Sequence, residues 1–379
     1  MTTPAPLRGP AFGSYAPDEV GWLLTDLSGV ALEAPTEERE EAVQSGGAHY
    51  AESLPHEYQP DAAYLDLYRS ALAASAPRLA QAVGTVTELV LAERGHDVVL
   101  VSLARAGTPV GVLLRRWAAA RHGLDLPHYA VSIVRGRGID PLALRHLAEH
   151  HDPGRVVFVD GWTGKGAITR ELAAALDVHA VRTGQRFDPD PAVLADPGRC
   201  VRTFGTREDW LIASACLNST VSGLVSRTVL NETLIGPGQY HGAKFYAELA
   251  AADVSAGFLD AVTAEFPGVL DTAAPVDREP DFAGWDAVSR IVEDYGIGDP
   301  NLVKPGVGET TRVLLRRVPW KVLVRAGAPA ADLAHVRLLA RQRGAPVEEV
   351  DGLAYSCVGL IHPHYTRGAT GADGLAAAR

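Results

Sequence analysis

The stretch VVFVDGWTGKGAIT, residues 156–169, decides the fold of this 379-residue chain. Its first four residues are apolar and predict a buried strand that ends in Asp160. A glycine-rich turn with one lysine, Lys165, follows, and a helical pattern begins after that turn. Backbone N–H groups converge in such a strand–loop–helix unit, and the helix N-terminus adds partial positive charge. The stretch therefore predicts an α/β fold with a site for phosphate.

A second unit of the same kind precedes it, in DVVLVSLARAGTPVGVLLRRWAAARHG. It predicts a buried strand at 98–103, a tight turn at 104–108 and a helix at 109–121. The alanine-rich residues 62–94 predict a further helix. Strands that alternate with helices indicate a doubly wound, mostly parallel sheet, whose ligands bind at the carboxyl ends of the strands.

The composition is that of a soluble globular protein, with 47% hydrophobic and 21% charged residues. No basic and apolar leader is visible, and the apolar run at 98–103 is far shorter than the ~20 residues that span a bilayer. Cys200, Cys216 and Cys357 form no CxxC pair, which argues against a disulfide framework or a structural zinc site. We therefore expect a cytoplasmic protein.

Charge is distributed unevenly along the chain. Residues 301–379 hold 11 Lys and Arg against 6 Asp and Glu, whereas residues 1–300 hold 24 against 40. A basic module on an acidic body favours a separate anionic partner for the last segment. The stretch at 271–300 has linker character at its start and its end, and we place the domain boundary near it. We expect an N-terminal segment at 1–60, a main domain at 61–285 and a C-terminal domain at 298–379.

Two familiar phosphate loops do not fit the stretch at 156–169. The residue after Lys165 is Gly166, so the nucleoside-triphosphate pattern GxxxxGK[ST] is absent. The glycines at 161, 164 and 166 are wrongly spaced for the dinucleotide pattern GxGxxG. A strand that ends in an acid and enters a small-residue loop resembles instead the 5-phosphoribosyl-1-diphosphate (PRPP) loop of type I phosphoribosyltransferases.

That resemblance implies a type I phosphoribosyltransferase-like fold and a set of site residues. Asp160 would hold the ribose hydroxyls and, through PRPP, a Mg²⁺ ion, while the loop would hold the 5-phosphate. The loop residues concerned are Thr163, Gly164, Gly166, Ala167 and Thr169. The family usually has a second acid where this chain has Gly161, and Lys165 and Thr163 would compensate by charge and hydroxyl bonding. A glycine-rich turn without a ligand is the alternative.

The earlier unit supplies the loop that such enzymes use for the diphosphate leaving group. Arg105 would bind diphosphate oxygens, with Ala106 and Gly107 beside it. Residues 133–140, which include Arg135 and Arg137, have the position of a mobile flap, and an exposed basic turn is the alternative.

The implied reaction displaces diphosphate at ribose C1 by a nitrogenous acceptor, with PRPP as co-substrate and Mg²⁺ as cofactor. Asp160, Lys165 and Arg105 would be its catalytic residues.

Residues 214–228 and 239–246 are dense in reactive side chains. Cys216 and His241 suggest a thiol nucleophile with a base, although a cysteine in an alanine-flanked apolar setting is usually inert packing. The polar residues of this region favour a substrate pocket instead, with a small-residue helix packed on the sheet as the alternative. That predicted pocket consists of Asn218, Ser219, Ser222, Arg227 and His241.

Several motifs together resemble one bacterial family. They are FGSY at 12–15, SGGAHYAESLP at 45–55, FVDGWTGKGAI at 158–168, ACLNSTVSGLVSRT at 215–228 and YHGAKFY at 240–246. This StiP-type family belongs to tellurite-resistance and stress gene clusters, and its members are described both as phosphoribosyltransferases and as cysteine proteases. The resemblance covers residues 12–270.

The segment NLVKPGVGETTRVLLRRVPWKVLV, residues 301–324, resembles the Pelota-type RNA-binding domain. The resemblance implies a small α/β/α sandwich that recognises kinked RNA. A strand at 322–324, a helix at 331–343 and a strand at 358–361 fit that fold. Predicted RNA contacts are a turn at 306–308 with Glu309, Thr310 and Thr311, and the basic residues Lys304, Arg312, Arg316 and Arg317. The turn contributes Gly306 and Gly308. A Pelota fold kept for packing or dimerisation is the alternative.

Three functions follow as hypotheses. The first is a PRPP-dependent phosphoribosyltransferase with an RNA-binding appendage. The second is a cysteine hydrolase that uses Cys216, and the third is a non-catalytic regulator that senses PRPP and controls an RNA partner. A homodimer is possible under each, since dimers are common among relatives of this fold.

Overall fold

The computed structural model describes residues 3–34, 51–57, 59–270 and 272–362. The strands in this part are β1 Gly21–Leu23, β2 Thr25–Asp26, β3 Glu33–Ala34, β4 Leu54–Pro55, β5 Val99–Ala104, β6 His128–Val134, β7 Gly138–Ile139, β8 Val156–Trp162, β9 Ala192–Ala195, β10 Phe204–Thr206, β11 Gly242–Ala243, β12 Val303–Pro305, β13 Pro319–Arg325, β14 Val347–Val350 and β15 Cys357–Ile361. The predicted motif at 45–55 lies mostly outside the described residues.

The helices connect these strands. They are α1 Ala62–Arg94, α2 Thr108–His122, α3 Pro141–His150, α4 Ala167–Thr183, α5 Ser255–Ala264, α6 Ala283–Asp294, α7 Val307–Arg316 and α8 Ala330–Gln342. Short 3₁₀ helices lie at Pro153–Arg155, Ala213–Cys216, Ser219–Val221, Ala247–Ala252, Phe266–Gly268 and Pro300–Leu302. The start of α1 is fixed by Asp61, whose side chain accepts a hydrogen bond from Tyr64 N at 2.8 Å. It ends at Gly95, whose φ of +83° suits glycine.

The central sheet runs in the order β1-β6-β5-β8-β9-β10, and all of these strands are parallel. The short strand β7 pairs antiparallel with β6. Alternate residues of β5 bury opposite faces, because Leu100 packs in the cluster that includes α1 and α2, whereas Val99 and Val101 pack in the cluster that includes α3 and α4. The predicted parallel α/β sheet with helices on both faces is therefore confirmed.

The chain reverses its direction across the sheet at β5 and β8. From β5 it crosses by α2 to β6 on one side, and from β6 it returns by α3 to β8 on the other side. Since α2 and α4 pack on opposite faces, the loops that follow β5 and β8 diverge and leave a crevice at the carboxyl edge. Ligands of open α/β sheets bind at such a switch point.

A second sheet forms the C-terminal part, in the order β12-β15-β13-β14. One face packs on α6, with Val288 and Ile291 against Leu323 and Val358. The other face packs on α7 and α8. The predicted α/β/α arrangement is present, and α6, from the middle of the segment at 271–300, belongs to this second core.

The two sheets share an apolar core. One continuous cluster of buried side chains includes Leu79 and Val83 of α1, Val307 and Leu314 of α7, and Val336 of α8. In particular, α7 packs against the 3₁₀ helix Ala213–Cys216. Apolar burial therefore fixes the position of the C-terminal sheet over the carboxyl edge of the central sheet.

Two local predictions are wrong in a way that affects the site. Asp160 lies inside β8, which continues to Trp162 instead of ending at Asp160. The turn predicted at 306–308 is instead the start of α7, since Gly306 (φ +89°) is the N-cap and the helix begins at Val307. Among the described residues, no helix has both the length and the apolar character needed to cross a bilayer.

Candidate functional site

A solvent-open cleft lies where the carboxyl edge of the central sheet meets the C-terminal sheet. Both sheets contribute charged side chains to its lining, which are Arg135, Asp160, Lys165, Lys304, Glu309 and Arg312. Because cationic side chains outnumber carboxylates here, the cleft suits an anionic ligand.

The loop between β8 and α4 presents backbone donors to this cleft. In the part of the chain that the structure describes, the N–H groups of residues 164–168 donate to no protein acceptor. Gly166, with a φ of +74°, turns the chain into α4, whose N-terminus adds partial positive charge. The structure brings the predicted loop residues Thr163, Gly164, Gly166, Ala167 and Thr169 together in the cleft wall.

Asp160 supplies the carboxylate at the floor of the cleft. Its Oδ1 accepts a hydrogen bond from Gly161 N at 2.8 Å. Burial raises the pKa of Asp160 to about 6, against the opposing effects of the Gly161 N–H and of Arg312. The space beside it is open, because a Cβ placed on Gly161 would meet only Ala106 O, at 3.7 Å.

The Lys165 ammonium bonds backbone carbonyl groups of the protein in place of a phosphate. Its ammonium donates to the carbonyl oxygens of Pro300 and Val303, the latter at 3.0 Å. Burial, with Lys304 and Arg135 nearby, lowers the pKa of Lys165 to about 7. In this arrangement Lys165 ties the phosphate-type loop to the C-terminal part, which differs from its predicted role.

Thr163 is also engaged within the protein. Its hydroxyl donates to Asp196 Oδ1 at 2.6 Å, and Asp196 forms a further ion pair with Arg207. The proton of this hydroxyl therefore goes to Asp196, a partner that the prediction of compensation for the missing second acid did not include. Sequence patterns gave no sign of Asp196, since it lies 33 residues beyond Thr163 in a Pro- and Asp-rich loop.

Arg105 lies away from the cleft, although Ala106 lines it. The Arg105 guanidinium donates to Asn218 Oδ1 at 3.2 Å and to Val225 O at 3.4 Å, and Glu57 Oε1 lies 3.8 Å from it. Its neighbour Gly107 is fixed by close packing, since a Cβ there would lie 2.3 Å from a backbone oxygen of β8. The structure thus places Ala106 in the cleft lining, packs Gly107 against β8, and directs Arg105 into a buried polar layer.

The predicted substrate pocket forms that buried layer. Ser219 donates its hydroxyl to Glu57 at 2.6 Å, and Ser222 donates to Asn218 O at 2.8 Å. Arg227 donates to a backbone carbonyl, that of Ser53, at 2.5 Å. His241 lies apart, with Nδ1 2.8 Å from Ser132 Oγ and its backbone N bonded to Asp140. None of these predicted residues lines the cleft described above.

The predicted flap is a hairpin between β6 and β7. Arg135 lines the cleft and donates to Asn301 Oδ1 at 2.9 Å, whereas Arg137 is exposed and lies 3.9 Å from Glu232. The turn is held by Glu171 of α4, which accepts hydrogen bonds from two backbone N–H groups of the hairpin. A hairpin therefore stands where the flap was predicted, but of its two arginines only Arg135 lines the cleft.

The residues predicted to contact RNA turn towards the central sheet. Arg312 stacks its guanidinium 4.3 Å from the centre of the Trp162 ring and donates to Glu309 at 3.1 Å. Lys304 lines the same cleft, and burial lowers its pKa to about 8. Although burial opposes it, the cations Arg312, Lys304 and Arg135 lower the pKa of Glu309.

The remaining predicted RNA contacts are also interior. Thr310 and Thr311 are fully buried, and Gly308 packs on Trp162, because a Cβ at that glycine would lie 2.8 Å from the indole. Gly306 is the N-cap of α7. Arg317 caps the end of α7 with its backbone, and the side chain of Arg316 lies outside the described part.

Comparisons with known proteins agree with this two-part organisation. A family model described as "Tellurite-like stress resistance cysteine protease StiP" matches residues 13–263, and one described as "PELOTA RNA binding domain" matches residues 282–363. A protein of Acinetobacter baylyi named "Cysteine protease StiP" is 35% identical over 367 residues, which cover 92% of this chain and 94% of that relative.

The chain belongs to the StiP family. Its C-terminal part matches the Pelota RNA-binding domain, as the sequence motifs indicated, and the match includes α6.

The cysteines of this StiP-family chain are all buried. Cys216 is 0% exposed, and burial raises the pKa of its thiol to about 12. Among the described contacts none joins Cys216 to His241, whose ring bonds Ser132 instead. Burial also raises the pKa of Cys200 to about 12 and raises that of Cys357. Reactive thiols need the opposite environment, exposed and electropositive.

The Cys216 environment gives a direct expectation. We expect iodoacetamide to leave Cys216 unmodified in the folded protein and to alkylate it after unfolding in guanidinium, because the thiolate is the reacting species. Peptide mass spectrometry at neutral pH measures the two states on one sample. Rapid native alkylation of Cys216 would contradict the buried geometry and favour the thiol hypothesis.

Proposed function

We propose that this StiP-family protein binds PRPP in the cleft and transfers its phosphoribosyl group to a nitrogenous acceptor. One observation carries the proposal: at the switch point of the sheet, the Asp160 carboxylate lies beside a loop whose N–H groups at 164–168 have no protein acceptor in the described chain. Phosphate is the ligand that such a loop binds, and a carboxylate alongside it accepts hydroxyl hydrogen bonds from a sugar.

The proposed roles follow from these positions. The amides of the loop bind the 5-phosphate, and Asp160 accepts hydrogen bonds from the ribose hydroxyls. At ribose C1 the bond to the diphosphate oxygen breaks and its electron pair leaves with diphosphate. The lone pair of the acceptor nitrogen forms the new C1–N bond, and the acceptor releases a proton. Cationic side chains around the cleft stabilise the negative charge that develops on the leaving group.

The donor set of the cleft fits a Mg²⁺ ion only when PRPP supplies part of its ligands. In the described chain no group of three or more His, Cys, Asp or Glu side chains forms a metal site, and the cleft offers Asp160 and Glu309 as separate carboxylates. Mg²⁺ usually keeps several waters and combines one or two carboxylates with substrate phosphates. Asp160, with PRPP oxygens, would hold the ion, and the ion would neutralise diphosphate charge.

Calorimetry and phosphorus NMR test the proposal. Titration with PRPP and Mg²⁺ is expected to give saturable binding, and Asp160→Asn is expected to weaken it about 10- to 100-fold because hydrogen bonds to a charged group are lost. Release of diphosphate in the presence of candidate bases then separates a transferase from a non-catalytic PRPP sensor. Absence of binding by the unaltered protein would refute the proposal.

The pKa values of the cleft predict a bell-shaped pH dependence of PRPP affinity. Below pH about 6 Asp160 becomes protonated and stops accepting ribose hydroxyls, so affinity falls. Above pH about 8 Lys304 loses its charge, after Lys165 has lost its own above about 7, so affinity falls again. Calorimetry from pH 5 to 9 with both the parent and Asp160→Asn measures this. The acid limb of the parent should be reduced in the variant, whereas the titration of PRPP itself affects both proteins equally.

A second candidate function is RNA binding by the C-terminal domain. It is supported by the Pelota family match and by the charge of residues 301–379, which hold 11 basic and 6 acidic residues. Because Lys304, Glu309 and Arg312 line the cleft and Thr310 and Thr311 are buried, RNA would meet other basic side chains. The exposed Arg337 and Arg341 of α8 are examples. A cysteine protease activity is suggested by the name of the Acinetobacter baylyi relative, but the buried thiols do not favour it.

A further inference from the structure

The diphosphate end of the ligand needs a cation that Arg105 does not provide. Arg105 is held by Asn218, Val225 and Glu57, and its side chain does not line the cleft. Release of Arg105 towards the cleft would leave the Glu57 carboxylate without this cationic partner in a buried layer, which is costly. The loop after β5 therefore contributes Ala106 to the cleft lining, but neither Arg105 nor Gly107.

Arg312 can supply the positive charge that Arg105 does not bring to the cleft. It lines the cleft together with Ala106 and Asp160, although it comes from α7 of the C-terminal domain. Its guanidinium is fixed by the Trp162 ring at 4.3 Å on one side and by Glu309 at 3.1 Å on another. Its Nη1 bonds Glu309, no described contact engages Nη2, and the side chain is 27% exposed. A side chain that is held in place and keeps an accessible donor is prepared for an acceptor from a ligand.

We propose that Arg312 binds the diphosphate group of PRPP, so that the anion site is completed by the C-terminal domain. This inference rests on the proposed function and names the missing part of its site. A planar guanidinium binds phosphate oxygens through paired hydrogen bonds, which suits the role. Lys304, in the same wall, adds a second positive charge near the leaving group.

The alternative occupant of Arg312 is an RNA phosphate. The geometry favours the small ligand, because Arg312 faces Trp162 and the cleft and not the outer surface of α7. Helix α7 also packs its N-terminal turn onto the loop that follows β10, where Asp209 Oδ1 accepts from Val307 N at 2.9 Å. An RNA duplex outside the domain would have to displace this packing to reach the guanidinium.

Two ligands and three variants decide the matter. PRPP and ribose 5-phosphate share the 5-phosphate and differ in the diphosphate. We expect Arg312→Gln, which keeps an amide that can lie on Trp162, to weaken PRPP about 10- to 100-fold and to leave ribose 5-phosphate within about twofold. Arg312→Lys should lose less, because it keeps the charge without the paired geometry. Arg290→Gln, at an exposed arginine of α6, is the matched control and should bind both ligands like the parent.

The outcomes separate the inference from the function on which it rests. If the parent binds PRPP and Arg312→Gln binds it equally well, the inference is wrong and the proposed function stands. Equal losses of affinity for both ligands, with an unchanged melting temperature, would also overturn the inference. Arg312 would then not distinguish PRPP from ribose 5-phosphate and so would not bind the diphosphate. If Arg312→Gln loses a structured RNA but keeps PRPP, the RNA occupant is correct. If the parent binds neither sugar phosphate, both proposals fall.

Discussion

Replacement of Ala167 by glutamate is expected to lower the affinity for PRPP about 1000-fold without unfolding the protein. Ala167 is the first residue of α4 and lines the cleft. A carboxylate there would occupy the place of a phosphate next to the free N–H groups at 164–168. At about 4 Å two like charges repel by about 4 kcal/mol in partly polar surroundings, which corresponds to about three orders of magnitude in affinity.

The same carboxylate is compatible with folding, since acidic side chains are favourable at a helix N-terminus. The matched control is Val181→Glu in the last turn of α4, where the parent side chain is 89% exposed. Calorimetry with PRPP and Mg²⁺ should show normal binding for the control. Equal affinity in Ala167→Glu and Val181→Glu would show that the loop after β8 is not the phosphate site.

Replacement of Asp209 by alanine is expected to lower the free energy of unfolding by about 2–4 kcal/mol. The Asp209 carboxylate joins the two parts of the chain, because Oδ1 accepts from Val307 N at 2.9 Å and Oδ2 from Ser356 N at 2.8 Å. Without it both buried N–H groups lose their acceptor. Guanidinium unfolding measures the loss. Asp332→Ala, which removes an ion pair with Arg78 at 3.3 Å, should cost under about 1 kcal/mol.

Asp209 also contributes a pH dependence with a definite sign. Burial raises its pKa from 3.8 to about 6 in the folded state, so the folded protein binds a proton more tightly than the unfolded chain. Its contribution to the free energy of unfolding therefore decreases as the pH rises from about 4 to about 6. In Asp209→Ala this part of the pH dependence should disappear. A variant with the stability and pH profile of the parent would show that the carboxylate does not join the two parts.

The sequence was sufficient for the strands and the loop that form one wall of the site. The apolar runs before Asp160 and Arg105 are continuous because both β5 and β8 are buried on two faces, and such runs can be recognised without a structure. The turn between β8 and α4 can also be predicted from its local sequence, because its position 166 has a positive φ and glycine is the residue that suits such a φ. The error at Asp160 is one of strand length alone.

The partners of the side chains could not be predicted, because they are distant in the chain. Arg105 bonds Asn218, 113 residues away, and Lys165 bonds carbonyl groups 135 and 138 residues away. No periodicity or spacing carries this information. The basic and glycine-containing pattern around Arg312 was equally compatible with an RNA surface and with a cleft wall, and only the packing of α7 on Trp162 distinguishes them.

The apolar cluster that runs from α1 into α7 and α8 also limits how this gene can evolve. A chain cut between residues 270 and 282 would expose to solvent, in both fragments, the apolar side chains of the shared core. In the C-terminal fragment these include Val307 and Leu314. Recombination therefore cannot exchange the Pelota-like part for another domain without reshaping the helix surfaces on both sides of the junction. We expect the two parts to be inherited together and their contact residues to change in pairs.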